Sequence, residues 1–530
     1  MQNGSIPIVI GVTGARELRT EEIPLLQETV RKEIRSIRSQ CPSSRILVMT
    51  GMAEGADQLC AREALAEGCG LIASLPMAME EYENDFTGEA LESLRELCAQ
   101  AEDRFVVPET EPHMDSRDYL YRQEGIYVAQ HCHVLIALWN GSPEKPDGCG
   151  TAETMGFRRN HSYRQRVEES LAVNGGPMII IHAGREGEDS PETKAATVTY
   201  YQEEALRKIL ACTEQFNSDV ARSKGTVQTE PDSGGENEMI RRTEAVYSAA
   251  DTLSTRNAKR FRMTLAAVSA AATILTMAFL LYDEMSLHWM ILLCCAMLLS
   301  LFLINRLSVR IPAHRKYTEY RLLAEGLRVQ AGMYRAGMGT EVREIMPETW
   351  QMNVPWTIHA ITAVCAGEKP VETRPVGEEW IGDQLRYHER ALDRTRSTRE
   401  RNDRMMHIVV VLTVLSYIAG LLFEIFRGGL FSGKPSLPPD VLENGRTWLK
   451  IVMGTLSAIT IFAGNYYGKL SLEETENDHL RMISLFSTAQ ETAAREGETP
   501  KLLYRLAREE LNENANWYAY RSVNKPDLGI

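Results

Sequence analysis

Residues Met263–Tyr282 read MTLAAVSAAATILTMAFLLY, twenty positions without a formal charge. At about 1.5 Å rise per residue, a helix of this length matches the roughly 30 Å hydrocarbon core of a bilayer. Arg256, Lys259, Arg260 and Arg262 stand directly before it, and Asp283 and Glu284 directly after. A second apolar run, Met285–Asn305, follows at once and ends in Arg306 and Arg310. Two shorter runs, Ile408–Phe423 and Ile451–Gly468, repeat the plan. At these lengths they sit at the lower edge for crossing, and a buried helical hairpin in water is the competing reading. Four spans are expected. The positive-inside rule places the first hairpin's acidic loop outside and both termini in the cytoplasm of an inner-membrane protein.

The remaining composition is that of a polar chain. A net charge of −14 over 530 residues and a pI near 5.5 argue against nucleic acid as a partner. Ten scattered cysteines, with no C-x-x-C pair, suggest neither a zinc site nor a disulfide framework, and fit a reducing compartment. The opening MQNGSIPIVIGVTG lacks a basic n-region and reads as a first strand rather than a signal peptide.

Before residue 185, short apolar runs alternate with helical stretches. The runs are Ile6–Val12, Ile46–Thr50, Leu71–Leu75, Phe105–Val107, Val134–Trp139 and Met178–His182, with Ile23–Ile37 and Ala56–Ala66 carrying the helical period. Near-continuous apolar strands of this kind predict a mostly parallel, Rossmann-like α/β sheet covered on both faces. The expected divisions are an α/β domain over 1–185, an acidic linker with connecting helices over 186–255, and a first membrane hairpin with flanking helices over 256–335. A cytoplasmic segment over 336–396 then leads to a second hairpin with C-terminal helices over 397–530.

In such sheets ligands sit at the carboxyl ends of the strands. Three ends here are glycine-rich: Gly11, Thr13, Gly14 and Arg16; Gly51, Glu54, Gly55 and Asp57 after Thr50; and Asp147, Gly148, Gly150, Thr151 and Glu153 after Asn140–Gly141. Glycine lets backbone approach a ligand, and a following helix offers free N–H groups to an anion. Any tight βα turn needs glycine too. Three in succession favour a phosphate-bearing ligand. Tyr82 and Asp85 in the acidic cluster Glu80–Asp85 are further candidates, against a solvated helix start. His131-Cys132-His133 spans a helix end and a strand start, so its side chains should diverge rather than hold a metal. Cys149 is expected to pack rather than react.

Gly11–Leu18 (GVTGAREL), Thr50–Leu59 (TGMAEGADQL), Ser74–Phe86 (SLPMAMEEYENDF), Val134–Gly141 (VLIALWNG) and Gly148–Glu153 (GCGTAE) together resemble the SLOG superfamily, a Rossmann-like group of nucleotide-sensing domains and related hydrolases. The resemblance implies a nucleotide-derived ligand held by the three glycine-rich loops; no cofactor or metal is expected. Ala15 and Cys149 depart from the usual pattern. In the hydrolase members a PGGxGTxxE glutamate acts on an N-glycosidic bond. Here Glu153 falls one residue early, with Thr154 in its place. A helix turns about 100° per residue, so catalysis is disfavoured and binding without turnover is expected. The alternatives are a membrane-tethered nucleotide phosphoribohydrolase and a constitutive channel or scaffold.

The connector contains two linker-like stretches, Gly184–Glu192 and Gly225–Glu238, around an amphipathic helix expected over Tyr200–Phe216. Beyond the first hairpin, Tyr317, Tyr320, Ala324, Leu327, Ala331 and Tyr334 recur at 3- and 4-residue intervals. This is a seam for packing on another helix, in the same chain or a second copy. Ser457, Thr460, Gly464 and Tyr467 share a face of the fourth run, suited to tight packing or to a wet pore lining. No Asp, Glu, Lys or Arg lies inside any run, which argues against a pump. The hairpin flanks, Tyr320–Arg328 (YRLLAEGLR) and Trp380–Tyr387 (WIGDQLRY), resemble the SLATT group of membrane modules. That likeness implies a homo-oligomeric membrane effector, a pore in anti-phage defence, gated by the sensor domain.

Overall fold

The computed structural model describes residues 4–111, 113–143, 148–160, 175–187, 194–223, 237–310, 312–370, 374–426 and 438–523. Asp147, most of the linker at 225–238 and the centre of the last interspan loop lie outside them. The chain forms two compact units. One comprises Met1–Leu253, Glu319–Val376 and Glu498–Ala519; the other comprises Ser254–Thr318, Gly377–Gly497 and Tyr520–Ile530.

The first unit is built on a seven-stranded sheet. Its strands are β1 (Ile8–Gly14), β2 (Ile46–Thr50), β3 (Gly70–Leu75), β4 (Asp103–Val106), β5 (Val134–Trp139), β6 (Met178–His182) and β7 (Val198–Tyr201). They lie in the order β4-β3-β2-β1-β5-β6-β7, all parallel except β7, which runs antiparallel to β6. The intervening helices are α1 (Ile23–Gln40), α2 (Ala56–Ala66), α3 (Gly88–Gln100), α4 (Arg117–His131) and α5 (Thr151–Asn160), with α6 (Glu203–Arg222) after β7.

Side chains alternate between the two faces of a strand, and the core divides accordingly. Ile8, Ile10 and Val12 join α1 residues Leu26, Val30 and Ile34 and α2 residues Leu59 and Cys60. Val9, Leu47 and Met49 join Tyr127 and Val128 of α4, and Cys132 just after it, on the opposite face. Burial on both faces explains why these strands are apolar without a break.

Three local readings change. The first strand starts and ends two residues later than its apolar run, because Gly11 pairs with Met49 and Leu135, and Gly14 with Leu138. Gly11, Thr13 and Gly14 are therefore strand residues and not a loop. β7 is a strand that includes Tyr200 and Tyr201, which the amphipathic period assigns to a helix. Gln202 adopts a left-handed conformation (φ 56°) that separates the β-branched and aromatic strand from α6. The second apolar run becomes helical only at Met290, because Ser286 is also left-handed (φ 52°).

Later parts of the chain complete this unit. Helix α7 (Glu238–Glu284) contributes residues to both units; α8 (Met290–Arg310), α9 (Ala313–Arg335) and α10 (Pro355–Val364) follow. The tyrosine–alanine seam of α9 is buried at Tyr320, Ala324, Leu327, Ala331 and Tyr334. Tyr320 packs edge-on against Phe216 of α6 and Trp356 of α10 and donates to Asp219 at 2.9 Å. Its partners lie within the chain.

In the second unit, α11 (Asp383–Phe426), α12 (Pro439–Leu470) and α13 (Leu472–Glu496) join α8 and the membrane half of α7; α14 (Pro500–Val523) closes the described chain. Among the described residues four helices are long and apolar enough to cross a membrane, and only 6 to 17% of their apolar windows is buried. Leu292, Met263, Phe279, Ile408 and Ile461 are all more than half exposed. Water would not tolerate so large an apolar surface; lipid does. The two shorter runs lie toward the carboxyl ends of helices 44 and 32 residues long, each with an apolar window long enough to cross.

The third and fourth spans are joined through polar side chains. Thr413 and Thr460 hydroxyls meet at 2.9 Å, and Tyr417 and Ser457 at 3.1 Å. Thus the small polar face of α12 serves helix packing at Ser457 and Thr460. Gly454 leaves room for Leu280 of the first span, and Lys450 pairs with Glu284 at 2.9 Å.

Candidate functional site

The carboxyl ends of β1, β2 and β3 converge on the start of α2. The Ala56 N–H donates to the Ala15 carbonyl at 3.0 Å, locking residues 15 and 56 together. Gly14 and Gly55 permit this approach: a Cβ on Gly14 would overlap that of Ala56, and one on Gly55 would overlap the Arg16 carbonyl. Gly55 is also left-handed, at φ 86°. Gly11 sits deeper, under Val128 of α4 and Cys132 just after that helix. These three glycines are thus explained by contacts within the chain.

Gly51 borders a different kind of neighbour. The Glu124 carboxyl of α4 stands 2.8 Å from where its Cβ would be, and accepts from the Ser74 hydroxyl at 3.4 Å. Tyr82, fully buried, donates its hydroxyl to the Gly51 carbonyl at 2.9 Å. The buried Asp57 carboxyl accepts hydrogen bonds from Thr50 and from the Gly51 and Ala53 amides. Burial nevertheless prevails and pushes Asp57 up to about 6. Burial, and then the charge of Asp57, pushes Glu124 well above the usual carboxylate range. Between them Met52 is left-handed at φ 59° and wholly buried, a conformation that costs a non-glycine residue of order 1 kcal/mol or more. Two desolvated carboxyls and a strained backbone at the strand ends are a costly arrangement. Such clusters are a mark of functional sites.

A cationic and aromatic group adjoins it. The exposed Arg16 lays its guanidinium 4.6 Å over the Tyr121 ring, a cation–π contact. Tyr121 donates to Asp85, which also pairs with Arg117 at 2.8 Å. Although burial would raise Asp85, its bonds to Tyr121 and Arg117 hold it below the ordinary carboxylate value. Arg117, Tyr121 and Glu124 stand at i, i+4 and i+7 on α4, one helical face.

The third loop closes on itself. Glu153, buried, accepts from the Gly150 N–H at 2.9 Å, the back-reaching half of a capping box at the start of α5. Its carboxyl also fills the space beside Gly148. Thr154 donates to the Gly150 carbonyl at 3.1 Å and packs on Gly125. Arg122 of α4, paired with Glu111 at 2.8 Å, ties the loop down by donating to the Gly148 carbonyl at 3.2 Å. Cys149 is raised by burial, so its thiol is not activated. Thr151 opens α5, and Glu54 is exposed on the second loop.

The structure therefore gathers Thr50, Gly51, Asp57 and Tyr82 with Arg16 and Asp85, and adds four residues that sequence reading missed: Ser74, Arg117, Tyr121 and Glu124. The signal was the run of polar residues on α4, spaced as one helical face inside an otherwise buried helix. His131, Cys132 and His133 separate as expected. His131 pairs with Glu341 at 2.9 Å, while His133 Nδ1 accepts from the Val9 amide at 3.1 Å. Compared with protein-family models and with curated proteins, the chain matches none.

Proposed function

We propose that this chain is a membrane-anchored sensor–effector: its SLOG-like unit binds a nucleotide-derived signal, and its four spans then permeabilise the bilayer. The observation that carries the ligand half is the Asp57–Glu124 pair beside Arg16 and Tyr121 at the strand ends. Arg16 offers a cation to a phosphate, the Tyr121 ring a stacking surface, and the carboxyls acceptors or donors for sugar or base hydroxyl and amino groups. The site flanks the boundary between β1 and β5, where the strand order reverses, the usual place for ligands in such sheets. Glu153 is committed to the Gly150 amide, so the hydrolase alternative lacks its carboxylate.

The effector half rests on four outward-facing apolar helices without transport-type charges, and on α7, one helix that supplies residues to both units. The basic flanks of the first hairpin favour cytoplasmic termini, in an inner membrane. The anti-phage setting and a homo-oligomeric pore follow the SLATT likeness. Full-length protein in dye-loaded liposomes should leak only when a particular nucleotide is added. Arg16→Ala should abolish that leak. Intact vesicles across a broad nucleotide panel, with insertion demonstrated, would overturn the proposal.

A further inference from the structure

The second unit contains a cavity of about 560 Å³ at one end of its four spans. Apart from Arg521 of α14, its lining comes from just before the first span, just after the second, just before the third and the end of the fourth, so it lies at the ends shared by both hairpins. Five cations line it, Arg262, Arg394, Arg401, Lys469 and Arg521, and none of the described lining residues is acidic. The contrast along α11 is instructive. Arg396 and Arg399 point to Glu476, at 2.8 and 3.1 Å, whereas Arg394 and Arg401, two helical turns apart, share the face that lines the cavity. Thr398 and Asn402 on that face add polar groups between them.

A second cavity, an apolar groove of about 360 Å³, runs between the first and fourth spans. Ala266, Ala270 and Ile274 recur every four residues along one wall, and Ile459 and Ala463 along the other. Tyr466 and Tyr467 line both cavities, so the groove opens next to the basic pocket. Tyrosine, with an apolar ring and a polar tip, suits that boundary.

We infer that this unit holds an anionic phospholipid, its phosphate headgroup among the five cations and an acyl chain in the groove between the first and fourth spans. Basic side chains gathered around one cavity, with no acidic residue among its described lining, make a positive site that a phosphate neutralises. Basic pockets between spans at the cytoplasmic surface take such headgroups. A free phosphate compound would satisfy the cations but leave the groove unused, which is why a lipid fits better. The inference requires the spans to lie in a bilayer and makes no use of the nucleotide site.

The full chain, purified in detergent, is exchanged into nanodiscs of phosphatidylcholine alone or mixed with phosphatidylglycerol or cardiolipin, and retained lipid is read by native mass spectrometry. The wild type should retain the anionic lipid selectively. R394Q with R401Q should weaken retention about 30-fold, at the cost expected for two basic contacts near a charged surface. The R394K/R401K pair should restore it, which separates charge from misfolding, and R404Q, outside the lining, should leave it unchanged. Ala270→Trp, which fills the groove, should reduce lipid retention with helicity preserved by circular dichroism. Equal retention of phosphatidylcholine and anionic lipid would overturn the proposal. So would binding of inorganic phosphate or glycerophosphate, by the R394/R401 pair, in discs where anionic lipid is not retained.

Discussion

Gly14 and Ala56 touch with no space between them: a Cβ on Gly14 would overlap the Ala56 methyl at the junction of β1 and α2. Gly51, a few residues away, faces instead the movable end of Glu124. Gly14→Ala should therefore destabilise the α/β unit by about 1–3 kcal/mol, the usual cost of overpacking, read as a lower unfolding midpoint. Gly51→Ala should cost less than about 1 kcal/mol and instead displace the Glu124 carboxyl, so ligand response should fall while stability holds. Equal losses for both would mean that Gly51 is also a packing glycine.

Asp57 sets a pH dependence of known sign. Its folded value, raised to about 6, exceeds the unfolded value near 3.9. The folded state then binds the proton more tightly, so burying the charge costs stability above pH 6, and this cost is relieved as pH falls toward 4. Asp57→Asn should raise stability at neutral pH by about 1–3 kcal/mol, with the gain vanishing near pH 4. Thermal unfolding of the full chain in nanodiscs across pH checks this. A gain independent of pH would show that the carboxylate is not the source.

His133 acts in the opposite direction. Burial first, then the nearby Arg158, lowers it to about 3, against about 6.5 when unfolded. Its contribution is intact above 6.5 and is lost as pH falls toward 3, by up to about 1.4 kcal/mol per pH unit. His133→Asn, whose side-chain oxygen can still accept from Val9, should flatten the acid limb of the stability profile. An unchanged limb would assign acid sensitivity to other groups.

The hydroxyl pair between the third and fourth spans should be modest. Thr460→Val keeps shape and removes the bond to Thr413, and the double cycle with Thr413→Val should give a coupling near 0.6 kcal/mol, the mean for such bonds in membranes. Reversible unfolding in mixed micelles measures it. A coupling of zero would show that the two hydroxyls contribute only shape.

Topology is open to direct labelling. A cysteine at Ser286, in the turn between α7 and α8, should react with a membrane-impermeant maleimide in intact cells. A cysteine at Ser522 should react only after the cells are opened. The reverse pattern would invert the orientation proposed from the basic flanks.

The apolar runs carried the architecture. Ile46–Thr50, Val134–Trp139 and Met178–His182 are strands with the ends their hydropathy predicts, and Ala56–Ala66 is the helix its period predicts. The four spans were legible for the same reason: burial in a sheet or in lipid imposes a pattern that neighbouring residues share. The candidate site was legible only in its loops. Thr50, Gly51 and Asp57 lie in one glycine-rich stretch, but Ser74 and Glu124 are far away in sequence, and Glu124 meets Ser74 and Gly51 only when α4 crosses the sheet. The hairpin at Met263 shows the same division. Its charge-free run determined by itself that a helix enters the membrane, because hydrophobic transfer is a property of each side chain. Only the tertiary structure decided that Ala266, Ala270 and Ile274 on that helix face Ile459 and Ala463 across a groove beside a basic cavity. Which faces of helices remote in sequence meet is set by packing, and no periodicity within one segment records it.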